Sequence, residues 1–143
     1  MKAPAMAKVS GTVLIAVCLV AFGGCGETST ACRVTGQVFI NQKPAAGVYV
    51  LLQPAEPADD KAAGQAAGAA RTGDDGTFTL VVPEPGQYVV NAFWPEVITT
   101  SDEVVEGEDR FRGRYRDPKR PIATVQITAP ELTLPPIELT FRK

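Results

Sequence analysis

Two hydrophobic patterns divide this chain. Residues 9–24, VSGTVLIAVCLVAFGG, form an uncharged, largely apolar run. From Arg33 onward, apolar and polar residues instead alternate with period two. Val34, Gly36, Val38 and Ile40 share one face, against Arg33, Thr35 and Gln37. Val48, Val50 and Leu52 repeat the pattern, as do Phe78, Leu80 and Val82 between Thr77 and Thr79. Tyr88, Val90 and Ala92 follow, then Ala123, Val125 and Ile127, and last Ile137, Leu139 and Phe141. A strand turns successive side chains to opposite faces, so each segment predicts a half-buried strand, and the β-branched content agrees.

Turn chemistry separates these segments. Asn41-Gln42-Lys43-Pro44 breaks the first pair, and Asp74-Asp75-Gly76 precedes the Phe78 strand. Asp-Gly is a tight-turn signal because glycine tolerates positive φ. Pro83-Glu84-Pro85-Gly86 ends that strand and opens the next. With no convincing long helix, residues 32–143 predict an all-β domain: a single antiparallel Greek-key β-sandwich of about seven strands. Two stretches fall outside the pattern. Residues 54–70, PAEPADDKAAGQAAGAA, have Gly64 and Gly68 to weaken a helix over 58–67, so they read as a mobile loop. Residues 95–121 read as one long connection, acidic first and then basic; loops of that length often carry function.

The apolar run at the start follows a short basic segment containing Lys2 and Lys8. It is shorter than the roughly 20 apolar residues a membrane span needs, and it predicts a cleaved secretory signal over 1–24. Ala21-Phe22-Gly23-Gly24-Cys25 resembles a lipobox, the bacterial lipoprotein processing site, with Phe22 where Leu is usual. That resemblance implies diacylglycerol on the Cys25 thiol and cleavage before it. The implied product is exported and held by lipid on the periplasmic or cell-surface face of a membrane, the outer membrane being favoured. Residues 25–31 then form a polar tether.

Loss of Lys2 and Lys8 leaves twelve basic and sixteen acidic residues, a formal charge of −4, which gives no reason to expect nucleic-acid binding. Cys18 leaves with the signal and Cys25 is lipidated, so Cys32 has no partner for an internal disulfide and reads as a buried bystander. A monomer is expected.

Candidate chemistry is sparse. The chain has no histidine, the commonest general base and metal ligand. After processing only Ser29 and Ser101 remain, and no nucleophile–base pair can be assembled from them. No catalysis, no metal site and no cofactor are therefore expected. Asp74 and Asp75 lack EF-hand spacing and read as a turn. The residues that remain for ligand binding are Arg110, Arg112, Arg114, Tyr115 and Arg116, with Trp94 beside Phe93. If extended, the arginine series projects its cations to one side and grips an anionic polysaccharide, a lipid headgroup or an acidic envelope protein. Alternatively it pairs with the acids just before it, Asp102 to Asp109. Trp94 suits either a sugar-stacking edge or packing at a strand end.

Motifs in order along the domain carry a further resemblance. Val34-Thr35-Gly36-Gln37-Val38 is similar to a V-x-G-x-V opening strand. Lys43-Pro44-Ala45-Ala46-Gly47-Val48-Tyr49-Val50 is similar to K-P-x-x-G-x-x-V, and Thr72 to Leu80 to T-x-x-D-G-x-F-x-L. Gly86-Gln87-Tyr88-Val89-Val90 is similar to G-x-Y-x-V, and Tyr115-Arg116-Asp117-Pro118 to a late Y-x-D-P element, with Arg120 where Ser is frequent. Together they resemble the carboxypeptidase regulatory-like, or transthyretin-like (prealbumin-like), β-sandwich modules of small planctomycete-type lipoproteins. The resemblance implies a β-sandwich used for accessory or adhesive roles. The transthyretin-related hydrolases use histidines and a C-terminal motif that Phe141-Arg142-Lys143 does not supply. Two functions follow: a lipid-anchored envelope protein displaying a non-catalytic binding or adhesion module, or a passive spacer with no ligand.

Overall fold

The computed structural model describes residues 30–57 and 59–143. The leader, Cys25 and most of the tether lie outside the described residues. Every regular element described is a strand: β1 (Cys32–Ile40), β2 (Lys43–Pro44), β3 (Tyr49–Pro54), β4 (Gly68–Arg71), β5 (Thr77–Val82), β6 (Gly86–Phe93), β7 (Pro95–Thr99), β8 (Val104–Asp109), β9 (Ala123–Ile127), β10 (Glu131–Thr133) and β11 (Ile137–Leu139). All six segments predicted by alternation are strands.

Two sheets enclose the core. In the first, β1 is central. β5 pairs antiparallel with it from Cys32↔Val82 to Gln37↔Thr77, and β2 continues that edge at Phe39 and Ile40. The other edge takes β10 at Arg33–Thr35 and β11 at Val38–Ile40. The second sheet runs β4-β3-β6-β9, antiparallel throughout. The inward faces are those the alternation marks: Val34, Val38, Leu80 and Val82 on one sheet, and Val50, Leu52, Tyr88, Val90 and Ile127 on the other, all buried. Burying each such side chain contributes roughly 1.5–3 kcal/mol, which makes this interface the main support of the fold.

Three expectations are revised. The sandwich is not purely antiparallel, because β10 and β11 run parallel to β1. Parallel neighbours need a long crossover, and the whole second sheet supplies it. Within 54–70, residues 68–71 form an edge strand, registered from Tyr49↔Arg71 to Leu52↔Gly68. Alanine and glycine have little strand preference of their own, so pairing with β3 decides the conformation. Gly68 is required there, since a Cβ would stand 2.6 Å from the Val81 carbonyl oxygen of the first sheet. Residues 95–121 are not one long connection. They contain the β7–β8 hairpin and then a series of turns. The ribbon leaves Val97, Ile98, Val104 and Val105 exposed. With neither face on the core, it carries no alternation to read.

Candidate functional site

β6 ends at Phe93 and delivers two aromatics to opposite sides of the second sheet. On the outer side, Arg71, Tyr49 and Phe93 are cross-strand neighbours in one row. The Tyr49 and Phe93 rings stack at 4.7 Å. Arg71 lies 5.7 Å from the Tyr49 ring, and Arg116 lies 4.9 Å from the Phe93 ring. Glu106 of β8 reaches into this row. It accepts the Tyr49 hydroxyl at 2.8 Å and pairs with Arg71 at 3.7 Å. The donated hydrogen bond raises the Tyr49 pKa, with burial and the Glu106 charge acting the same way and Arg71 opposing.

On the inner side, Trp94 closes the end of the sandwich. Its ring meets Phe111 at 5.7 Å and Phe141 at 5.5 Å, and Phe111 meets Tyr115 edge-on at 4.9 Å. The Tyr115 hydroxyl accepts the Thr140 amide at 3.1 Å, which ties the turns to the segment after β11. Arg110 covers this cluster, 4.2 Å above the Trp94 ring and 5.9 Å from Phe141.

The turns that carry the arginines are organised by Asp109. Its Oδ1 accepts the Trp94 and Phe111 amides at 2.9 and 3.0 Å, and its Oδ2 accepts the Gly113 amide at 2.9 Å. Further backbone bonds follow from Arg112 to Asp109, Arg114 to Phe111 and Arg116 to Gly113. Arg112 takes a φ of 54° and Gly113 one of 77°, so the chain curls back on itself instead of extending. Buried Asn91 fastens the end of the curl, donating to the Tyr115 and Asp117 carbonyls at 3.1 and 3.0 Å.

This curl sorts the residues singled out from the sequence. Arg110, Arg112 and Arg114 line one open depression of about 470 Å³, together with Phe111, Thr140, Phe141, Arg142 and Lys143. Five cations therefore surround an aromatic floor. Arg116 is not among them; it stacks on Phe93. Tyr115 packs beneath, and Trp94 lines a second depression of about 480 Å³ with Arg71, Asp74, Val97 and Arg110. The pairing of basic run with preceding acids is absent: among the described residues the ion pairs are Arg33–Glu131 and Arg71–Glu106. Glu96, Glu108 and Asp109 line an adjoining depression together with Arg110, Arg112, Phe141, Arg142 and Lys143, bordering these cations without pairing with them. Sequence reading missed Arg142, Lys143 and Arg71. Arg142 lies on the polar phase of the last alternating segment, but nothing local places it beside Arg112.

The Asp74-Asp75-Gly76 segment is a turn, as its spacing suggests. Asp75 Oδ1 accepts the Thr77 amide at 3.0 Å and the Thr77 hydroxyl at 2.6 Å. These bonds lower the Asp75 pKa.

Strand pairing defines the protein as a two-sheet β-sandwich with an appended hairpin and a basic groove at one end. No protein-family model and no curated protein matches the sequence. Several solved structures are similar in part. A 9R-lipoxygenase from Cyanothece PCC8801 has a TM-score of 0.49 at 12% identity, over 78% of this chain and 17% of that one. BcpA, the major pilin subunit of Bacillus cereus, has a TM-score of 0.47 at 15% identity, over 79% and 31%. PA1324 of Pseudomonas aeruginosa, a candidate carbohydrate-binding protein, has a TM-score of 0.45 at 13% identity, over 78% and 89%. The chain thus spans less than a third of the first two. The architecture described above stands on this chain's own strand pairing.

Proposed function

We propose that this chain is an exported lipoprotein, anchored through Cys25, whose β-sandwich holds an anionic component of the cell envelope and does no chemistry. The observation that carries the reading is the groove of Arg110, Arg112, Arg114, Arg142 and Lys143, where five cations gather and, among the described residues, none is in an ion pair. On a chain with a formal charge of −2, that concentration of cations at one end favours an anion there. The leader ending in Gly-Gly-Cys supports the anchor, and the lack of histidine supports a non-catalytic role. The ordered motifs shared with carboxypeptidase regulatory-like modules belong to the same reading.

Two measurements test it. Mass spectrometry of the mature N-terminus should find an acylated Cys25; an unmodified N-terminus at another residue defeats the anchor. Full-length protein in detergent should bind immobilised polygalacturonate and not neutral dextran. That binding should weaken as salt rises, because exposed charges are screened within about 8 Å at physiological ionic strength. Arg112 and Arg114 are the clean substitutions, being exposed and outside the aromatic stacks, whereas Arg110 and Arg116 cover rings. Arg112→Ser with Arg114→Ser should lose binding at an unchanged melting temperature. Undiminished binding in that variant places the contact elsewhere, and failure of every polyanion to bind favours a passive spacer.

A further inference from the structure

Resting on that reading, we infer that the anionic component is a linear acidic polysaccharide whose chain passes over Arg110 and lies in both depressions. Arg110 lines the two of them and is the one residue they share. Its guanidinium is already stacked 4.2 Å from the Trp94 ring, so little side-chain freedom remains to be lost on binding. A stacked guanidinium keeps its N–H edge for a carboxylate, which it can grip with two parallel hydrogen bonds.

The two depressions differ in chemistry, and the difference selects the ligand. The first is lined by cations, phenyl rings and Thr140, and Glu96, Glu108 and Asp109 border it. The second is mixed: the Trp94 indole and exposed Val97 offer apolar surface, Arg71 offers a donor, and Asp74 offers an acceptor. Glu106 already shares the Arg71 charge. A ligand filling both must therefore carry anionic groups along part of its length, and it must present hydroxyls and C–H surface as well. A chain of uronate sugars has that composition. Polyphosphate has charge without the donors and apolar faces that the second depression suits. Each depression alone falls within the roughly 300–1,000 Å³ of small-molecule sites, so a chain spanning both extends beyond a single-site ligand.

The test uses full-length protein in detergent with galacturonate oligomers of increasing length, long-chain polyphosphate, and poly-glutamate. Trp94 is the single tryptophan, so its protection from acrylamide quenching reports occupancy of the second depression. Affinity should rise with oligomer length, on the order of 10²-fold, and then level off once both depressions are filled. Trp94 should become protected only by the longer oligomers. Arg71→Gln and Asp74→Asn should flatten that length dependence. Lys61→Ser, on the turn at residues 59–64 and outside both linings, controls for lost charge. Length-independent binding with Trp94 unprotected, still lost in the Arg112/Arg114 double variant, overturns this inference and leaves the proposed function standing. Equal binding and equal Trp94 protection by poly-glutamate or polyphosphate overturns it in favour of charge alone. No binding by any of the three polyanions defeats both.

Discussion

Gly36 shows how one missing side chain shapes the core. It lies opposite Phe78 in the β1–β5 pair, and a Cβ on it would stand 2.7 Å from the Phe78 ring. The ring occupies the space that the glycine leaves, so Gly36→Ala overpacks the core and should cost about 1–3 kcal/mol. Phe78→Ala should cost about 3–5 kcal/mol by opening a cavity. Combining Gly36→Ala with Phe78→Leu should recover part of the first loss. Urea denaturation measures all three, and additive losses in the double variant would contradict the shared-space explanation. Ionisation is legible at the same scale. Burial raises the Tyr88 pKa, with the charges of Glu84 and Cys32 adding to it, while its hydroxyl donates to the Glu84 carbonyl at 2.7 Å. The Tyr49 pKa is raised as well. An unfolded tyrosine ionises near pH 10 and a folded one with a raised pKa ionises later. Their contribution to stability is therefore complete below about pH 10 and is lost as pH rises through the folded values. Asp75 has the opposite sign. Its lowered pKa contributes stability above about pH 4 that is lost on acidification. Melting temperature measured across pH should show a steeper alkaline decline in the parent than in Tyr88→Phe.

Among the elements, the β7–β8 hairpin contrasts with the sandwich strands. Its side chains are almost all exposed, and it meets the body through Pro95, Asp109 and the Glu106 contacts with Tyr49 and Arg71. Segments with few buried apolar contacts open at low free-energy cost. Hydrogen exchange should therefore be fast across 96–108 and slow in β1, β3 and β6. Tyr49→Phe should speed it further in the hairpin and leave the sandwich amides unchanged; uniform slow exchange throughout would refute this independence. Asp109 plays a different part, because three backbone amides share its carboxylate. Asp109→Ala should cost about 1–3 kcal/mol by leaving donors unpaired. It should also disorganise the turn that presents Arg112 and Arg114, so polyanion binding should fall together with stability. Binding unchanged by Asp109→Ala would show that the arginines do not depend on this turn.

For the whole molecule, the decisive contact is between sheets. Leu52 and Ile127 from one sheet, and Val34 and Val38 from the other, are fully buried. Leu52→Ala should cost about 2–5 kcal/mol, read from chemical denaturation, and a loss below that range would mean the sheets can collapse onto the cavity. The same packing sets the position of the groove. β1 lies beside β11, so the chain's last residues reach the turns after β8, with Phe141 against Trp94 and Phe111. Arg142 and Lys143 join Arg112 and Arg114 through that topology alone.

Alternation along residues 33–141 by itself determined six strands and their buried faces, because a strand's side chains must alternate and one face must leave water. The Asp-Gly turn and the core roles of Phe78 and Tyr88 were equally local, set by backbone φ and side-chain size. Composition likewise narrowed the chemistry before any pairing was known. Tertiary structure decided what depends on partners distant in the chain. β4 is a strand because β3 pairs with it, and β10 and β11 lie parallel to β1 because the second sheet carries the chain across. The acidic and basic halves of 95–121 look self-neutralising in sequence, yet the Asp109 turn sends the arginines to aromatic rings and the groove, and Glu106 to Arg71. Charge order along a chain sets no distance between side chains; the turn geometry does.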